Sequence, residues 1–191
     1  MRNSIVNLVV FQAFWFASIL GAARGMPWLG PLLAVPWLAA HLLAARGDDR
    51  SEWQLVAAAG AVGFVLDSAL VLAGLVVFPP QAALGSPSTL WMTGLWMGFA
   101  TTLRGALGWL RGRYLLGGLL GAVCGPFAYW AGARLGAVML PEPATSLVAV
   151  GIEWLVAMPL LLLADDRLTR RRANDAGSTP ARAALEEASR R

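Results

Sequence analysis

The chain has 191 residues, 58% of them hydrophobic and 14% charged, with a formal net charge of +4; soluble domains carry about 25% charged residues, so an ordinary water-soluble globule is excluded. All 15 basic residues are Arg, and they sit between and after apolar runs rather than on one folded face. That placement argues against a nucleic-acid partner, and the absence of Lys suggests a GC-rich bacterial coding sequence.

A membrane-spanning helix needs about 20 apolar residues. Six segments qualify, approximately Ser4 to Ala23, Met26 to Ala45, Trp53 to Phe78, Leu90 to Leu110, Tyr114 to Leu140 and Ala144 to Ala164. Their connections are short and polar: "RG", "RGDDRSE", "PPQAALGSPST", "RGR" and "PEP". With the N-terminus inside, the cytoplasmic pieces hold 12 of the 15 arginines. That bias orients a six-span, all-α integral membrane bundle with both termini cytoplasmic. Asn7 and Gln12 interrupt the first apolar run, which favours a span over a cleavable signal peptide. The chain divides into a transmembrane domain over 1–164 and a basic, flexible cytoplasmic tail over 165–191. Within the tail, "RLTRRR" anchors the topology and attracts anionic lipid, and Thr179 and Pro180 can start a short helix.

The informative residues are the polar ones inside these spans. Asp67 interrupts "GFVLDSALVLAG". An Asp at mid-helix costs about 2.5–3.5 kcal/mol on the insertion scale, and thirteen Leu, Ile, Val or Phe residues in the same segment outweigh it. The helix therefore inserts, with Asp67 turned toward protein or water rather than lipid. At ~1.5 Å rise per residue, Gln12, Asp67 and Glu153 share a midplane layer. Asn3, Asn7, His41, Thr101, Thr102 and Arg104 share a layer nearer the cytoplasm. Two carboxyls in one dry layer do not both ionise; either one keeps a proton or an Arg reaches them, and Arg104 is the candidate. The candidate intramembrane site is thus Asp67, Glu153, Gln12, Arg104 and Asn7. The same groups read equally well as interhelical glue.

Other features read as packing or anchoring. Gly117, Gly121 and Gly125 recur every four residues, and Gly94 and Gly98 do the same in the fourth segment, allowing close helix approach. Cys124, the single cysteine, forms no internal disulfide and is expected buried among small residues. Pro31, Pro36 and Pro126 predict kinks. Trp28, Trp53, Trp91 and Trp109 fall near span ends as interfacial anchors, whereas Trp15, Trp96, Trp130 and Trp154 lie deeper and need partners for their indole N–H groups. Shifting the first three segments by 86 residues places Asp67 on Glu153, which raises the possibility of an inverted repeat.

"NLVVFQAFWFASILGA", "GFVLDSAL", "LWMTGLWMGFATTL", "LLGAVCGPFAYWAGARLGA" and "EWLVAMPLLLL" together resemble the bacterial family called domain of unknown function 2878. The resemblance covers residues 3 to 164 and implies a multi-span inner-membrane protein without an established activity. The family pattern has Asn-His after "FATTL"; here the positions are Arg104 and Gly105, so one fixed chemistry there is not implied.

The functional reading is a small membrane-embedded binding or transport protein with a polar intramembrane site. The alternative is an accessory or assembly protein for membrane lipid or envelope enzymes, and the third is an intramembrane lipid-modifying enzyme. No His/Asp/Glu cluster at metal spacing, Ser/His motif or phosphate loop is present, so no catalytic residue, metal or cofactor is assigned. Expected partners are the bilayer and anionic lipid at the tail.

Overall fold

The computed structural model describes residues 4–44 and 50–189, with side chains over 4–41 and 50–174. Among the described residues there are six α-helices and no strand: α1 Ser4–Ala23, α2 Leu29–Ala44, α3 Arg50–Leu72, α4 Leu90–Leu103, α5 Tyr114–Leu135 and α6 Pro143–Ser189. Four of them, α1, α3, α5 and α6, are long and apolar enough to cross a membrane.

α4 is the hub. Ten of its 14 residues are buried, because α1 and α2 pack on one side of it and α3 and α6 on the other. α5 pairs chiefly with α6 and touches α1 little. Its glycine stripe explains that pairing. A Cβ at Gly117 would lie 2.5 Å from Leu162, one at Gly121 2.7 Å from the Trp154 carbonyl, and one at Gly125 2.4 Å from the Trp154 ring. The two backbones therefore approach as the spacing predicted. α2 and α5 stay helical through Pro36 and Pro126.

Three helices end earlier than their apolar patterns suggest, and two of them, α3 and α5, do so on a glycine. α3 was expected to reach Phe78 and α5 Leu140. Each instead closes on a glycine with positive φ, Gly74 at 70° and Gly136 at 89°. The paired reverse bonds are Leu75 N–H to Leu70 O with Gly74 N–H to Val71 O, and Ala137 N–H to Gly132 O with Gly136 N–H to Ala133 O. Glycine adopts this left-handed cap without the Cβ penalty. The freed apolar residues then pair across, Val77 with Met139, in an antiparallel bridge that ties the two loops together.

α4 stops at Leu103 rather than Leu110, giving it a length of ~21 Å at 1.5 Å per residue, short of a ~30 Å hydrocarbon core. Residues 104–113 leave the helix and include a 3₁₀ turn at Gly108–Leu110. Irregular backbone packed among apolar helices must have its polar groups satisfied inside the protein. Thr102 O accepts from Gly105 and Leu107 N–H, and Asn7 Oδ1 accepts from Ala106 N–H at 3.4 Å.

α6 does not stop at Ala164 but runs on as helix to Ser189, so the expected start at Thr179 falls inside it. Trp91, expected at an interface, is fully buried and donates its indole N–H to Ala82 O at 2.8 Å. Trp28, Trp53 and Trp109 are exposed. The packing does not follow an inverted repeat: α4 is central while α1, its counterpart, is peripheral, and α3 packs on α4 whereas α6 does not pack on α1.

Candidate functional site

Asp67 is 1% exposed on α3. Its Oδ2 accepts the Trp96 indole N–H from α4 at 2.8 Å, and its Oδ1 accepts the Tyr129 hydroxyl from α5. Glu153 of α6 is also buried. No N–H or O–H among the described residues donates to either of its oxygens. Its neighbour is the Asp67 carboxyl. The sequence-derived midplane pair thus meets, joined by an unforeseen tyrosine.

Gly63, one helical turn before Asp67, makes this arrangement possible. A Cβ there would sit 2.0 Å from Trp96 Cγ, and the indole cannot retreat freely because it stacks on Trp154 at 4.5 Å and 16°. Gly63→Ala is therefore expected to displace the ring and cost about 1–3 kcal/mol, the usual range for overpacking. Thermal unfolding in detergent measures this, and an unchanged midpoint would mean the indole is free to move.

Trp96, Tyr129 and Trp154 also form the inner wall of a cleft of about 630 Å³ between α1 and α5. Phe11, Trp15 and Phe16 line its α1 side, Cys124 and Ala128 its α5 side, and Met92, Leu95 and Met158 its floor. Cys124 is exposed there rather than buried in packing, because Gly121 and Gly125, not Cys124, occupy the α6-facing positions of α5. Gln12 lines the cleft too but makes no hydrogen bond among the described residues, and Trp130 is exposed outside it. Asp67 lies one hydrogen bond behind the wall.

Arg104 does not reach the midplane carboxyls. Its Nε donates to Asp165 Oδ1 at 2.5 Å, and its Nη1 donates to Ser51 Oγ at 3.0 Å and to Glu52 Oε2 at 2.9 Å. His41 Nε2 meets Glu52 Oε1 at 2.7 Å. Arg111 donates to Asp165 Oδ2 at 2.8 Å, and Tyr114 donates to Asp166. This second cluster joins α2, α3, the end of α4, α5 and α6 at the arginine-rich end. Asn7 belongs to that end as well: beyond its bond to Ala106 it donates to Thr101 O at 3.5 Å. A Cβ on Gly105 would fall 2.5 Å from its Oδ1. Thr101 and Thr102 bond back to their own helix, at Gly98 O and Phe99 O. Asn3 lies outside the described residues.

Of the five candidate residues, only Asp67 and Glu153 come together directly. The residues missed were Tyr129, Glu52, Asp165 and Asp166. Tyr129 was visible only within the stretch "LLGAVCGPFAYWAGARLGA". The acids sat in a turn and a tail, where charges ordinarily face water.

The exterior completes the picture. Ile5, Leu72, Leu115 and Val123 are each more than 70% exposed, and a water-soluble monomer rarely carries contiguous apolar surface on this scale. Fold and surface define an all-α bundle whose apolar helices fit a membrane protein. The family described as "Protein of unknown function (DUF2878)" matches residues 4–160, and the chain belongs to it. No curated protein and no solved structure matches the chain.

Proposed function

We propose that this chain is a bacterial inner-membrane protein that crosses the bilayer six times with both ends cytoplasmic, and that it binds an apolar, lipid-class molecule in the cleft between α1 and α5. The topology rests on the arginine bias, with α4 crossing as a short, protein-surrounded span, α2 as a short span with one face exposed, and the region past residue 164 extending into the cytoplasm. The binding reading rests on the cleft. Its volume of about 630 Å³ lies within the 300–1,000 Å³ of small-molecule sites. Its walls are hydrocarbon and aromatic, and its flanks, Leu8, Phe16 and Phe127, are exposed side chains of α1 and α5. A ligand can therefore enter sideways from the bilayer. Asp67 orients Trp96 and Tyr129 at the inner wall.

The test is to fill the cleft. Ala128→Trp blocks it, whereas Val123→Trp places the same indole on the exposed face of α5. Displacing two or three methylene contacts at ~0.8 kcal/mol each lowers affinity more than about tenfold. Native mass spectrometry of protein extracted in mild detergent should show lipid retained by the wild type and by Val123→Trp but lost from Ala128→Trp, with unfolding midpoints alike. Equal retention in both variants would sink the proposal.

The inner cluster favours a second reading for part of the molecule. Arg104 and Asn7 spend their polar groups on neighbouring helices and loops, as expected of glue in an accessory or assembly protein; of the candidate residues Gln12 lines the cleft and Asp67 supports its wall.

A further inference from the structure

We infer that the arginine-rich end carries a discrete site for the phosphodiester headgroup of an anionic phospholipid, in the crevice between α3 and α6. The crevice, about 300 Å³, is lined by Gln54 and Ala58 of α3 and by Ala164, Arg167, Leu168 and Arg171 of α6. The α6 residues recur at i, i+3, i+4 and i+7 and so share one helix face. The acids next to them, Asp165 and Asp166, turn away to Arg104, Arg111 and Tyr114. No acid lines the crevice, and neither Arg167 nor Arg171 has an ion pair among the described residues.

Two guanidinium groups one turn apart, beside a neutral amide, suit an anion with several acceptor oxygens. The floor identifies a lipid as its source. Ala58, Ala164 and Leu168 are apolar, and the same helix faces continue along the bundle through exposed Val65 and Leu72 on α3 and exposed Leu160 and Val156 on α6. An anion bound by the arginines would have its acyl chains along that track. This goes beyond a general attraction of the tail for acidic membranes, because it assigns two of its arginines and a glutamine on another helix.

The experiment compares two charge-matched variants of the full chain in neutral detergent, Arg167→Gln/Arg171→Gln in the crevice and Arg170→Gln/Arg172→Gln outside it. Each is titrated with phosphatidylglycerol, phosphatidylcholine or inorganic phosphate while the unfolding midpoint is followed. Phosphatidylglycerol should raise the wild-type midpoint more than phosphatidylcholine does, and phosphate should not raise it; the excess over phosphatidylcholine reads the headgroup site. The crevice variant should bind phosphatidylglycerol about 30-fold more weakly, and the outer variant much less so. Ala128→Trp should keep the wild-type excess of the phosphatidylglycerol response over the phosphatidylcholine response, which keeps this site separate from the cleft. Gln54→Glu, on an exposed position, should weaken the response without touching an arginine. Equal losses in the two arginine variants, an undiminished response in Gln54→Glu, or an equal response to inorganic phosphate would each overturn the inference.

Discussion

Replacing Arg104 by Gln is expected to destabilise the bundle more than any other single polar substitution, by about 3–5 kcal/mol. The magnitude follows from what is left behind. Arg104 is the shared partner of Glu52 and Asp165, whose side chains are 4% and 2% exposed. Removing one member of a buried ion pair strands the other, and desolvation then acts without compensation. Arg111 also reaches Asp165, but it is 46% exposed, and an exposed pair contributes only about 0.2–1 kcal/mol; Glu52 retains His41. Arg104→Lys should recover only part of the loss. A single ammonium cannot reproduce a fork that meets Asp165 through Nε and Glu52 and Ser51 through Nη1. The decisive measurement is a double-mutant cycle of Arg104→Gln with Asp165→Asn, read as unfolding midpoints in detergent. Residues in direct contact should couple by about 0.5–3 kcal/mol, the double variant being less damaged than the sum of the singles. Additive losses would mean the pair is not formed.

Much of the fold was legible because its cause is local. Apolar runs of spanning length give helices, and the end of α1 at Ala23 was placed because a polar turn closes it there. Where boundaries moved, a tertiary or capping term outweighed hydropathy. Gly74 and Gly136 close α3 and α5 while the sequence is still apolar, and α4 gives way to a loop because Asn7 and Thr102 satisfy the backbone there. Position along a helix was also legible: Asp67 and Glu153, 86 residues apart, are neighbours in the bundle. Direction around a helix was not. Arg104 was expected to reach toward the midplane, yet it turns to the opposite side, where Asp165, 61 residues away in sequence, lies at its own depth. Nothing in the sequence joins those two positions until α6 is known to pack beside α3 and α4. The cleft was illegible for the same reason: it is a gap between α1 and α5, and a gap follows from which helices fail to touch.

The second large effect is expected at Asp67, where two substitutions separate glue from site. Asp67→Ala removes the acceptor of both the Trp96 indole and the Tyr129 hydroxyl. Orphaned buried donors cost about 1–3 kcal/mol each by soluble-protein experience, but interhelical hydrogen bonds within a bilayer average ~0.6 kcal/mol with a maximum near 1.7. The lower scale applies to a membrane bundle, so the summed loss should be about 1–3 kcal/mol, below that at Arg104. Asp67→Asn acts differently. Its carbonyl still accepts one of the two donors, and its amide can donate to a Glu153 oxygen that no donor among the described residues satisfies. Asn should therefore keep the unfolding midpoint close to wild type or raise it. If the carboxyl only ties helices together, lipid retention in the cleft will survive the Asn substitution along with stability. If it orients the Trp96–Tyr129 wall for binding, retention will fall while the midpoint holds, because the amide can fix only one of those two side chains at a time. A midpoint that drops as far with Asn as with Ala would show that two acceptor oxygens are needed merely to hold α3, α4 and α5 together, and would remove Asp67 from the binding site.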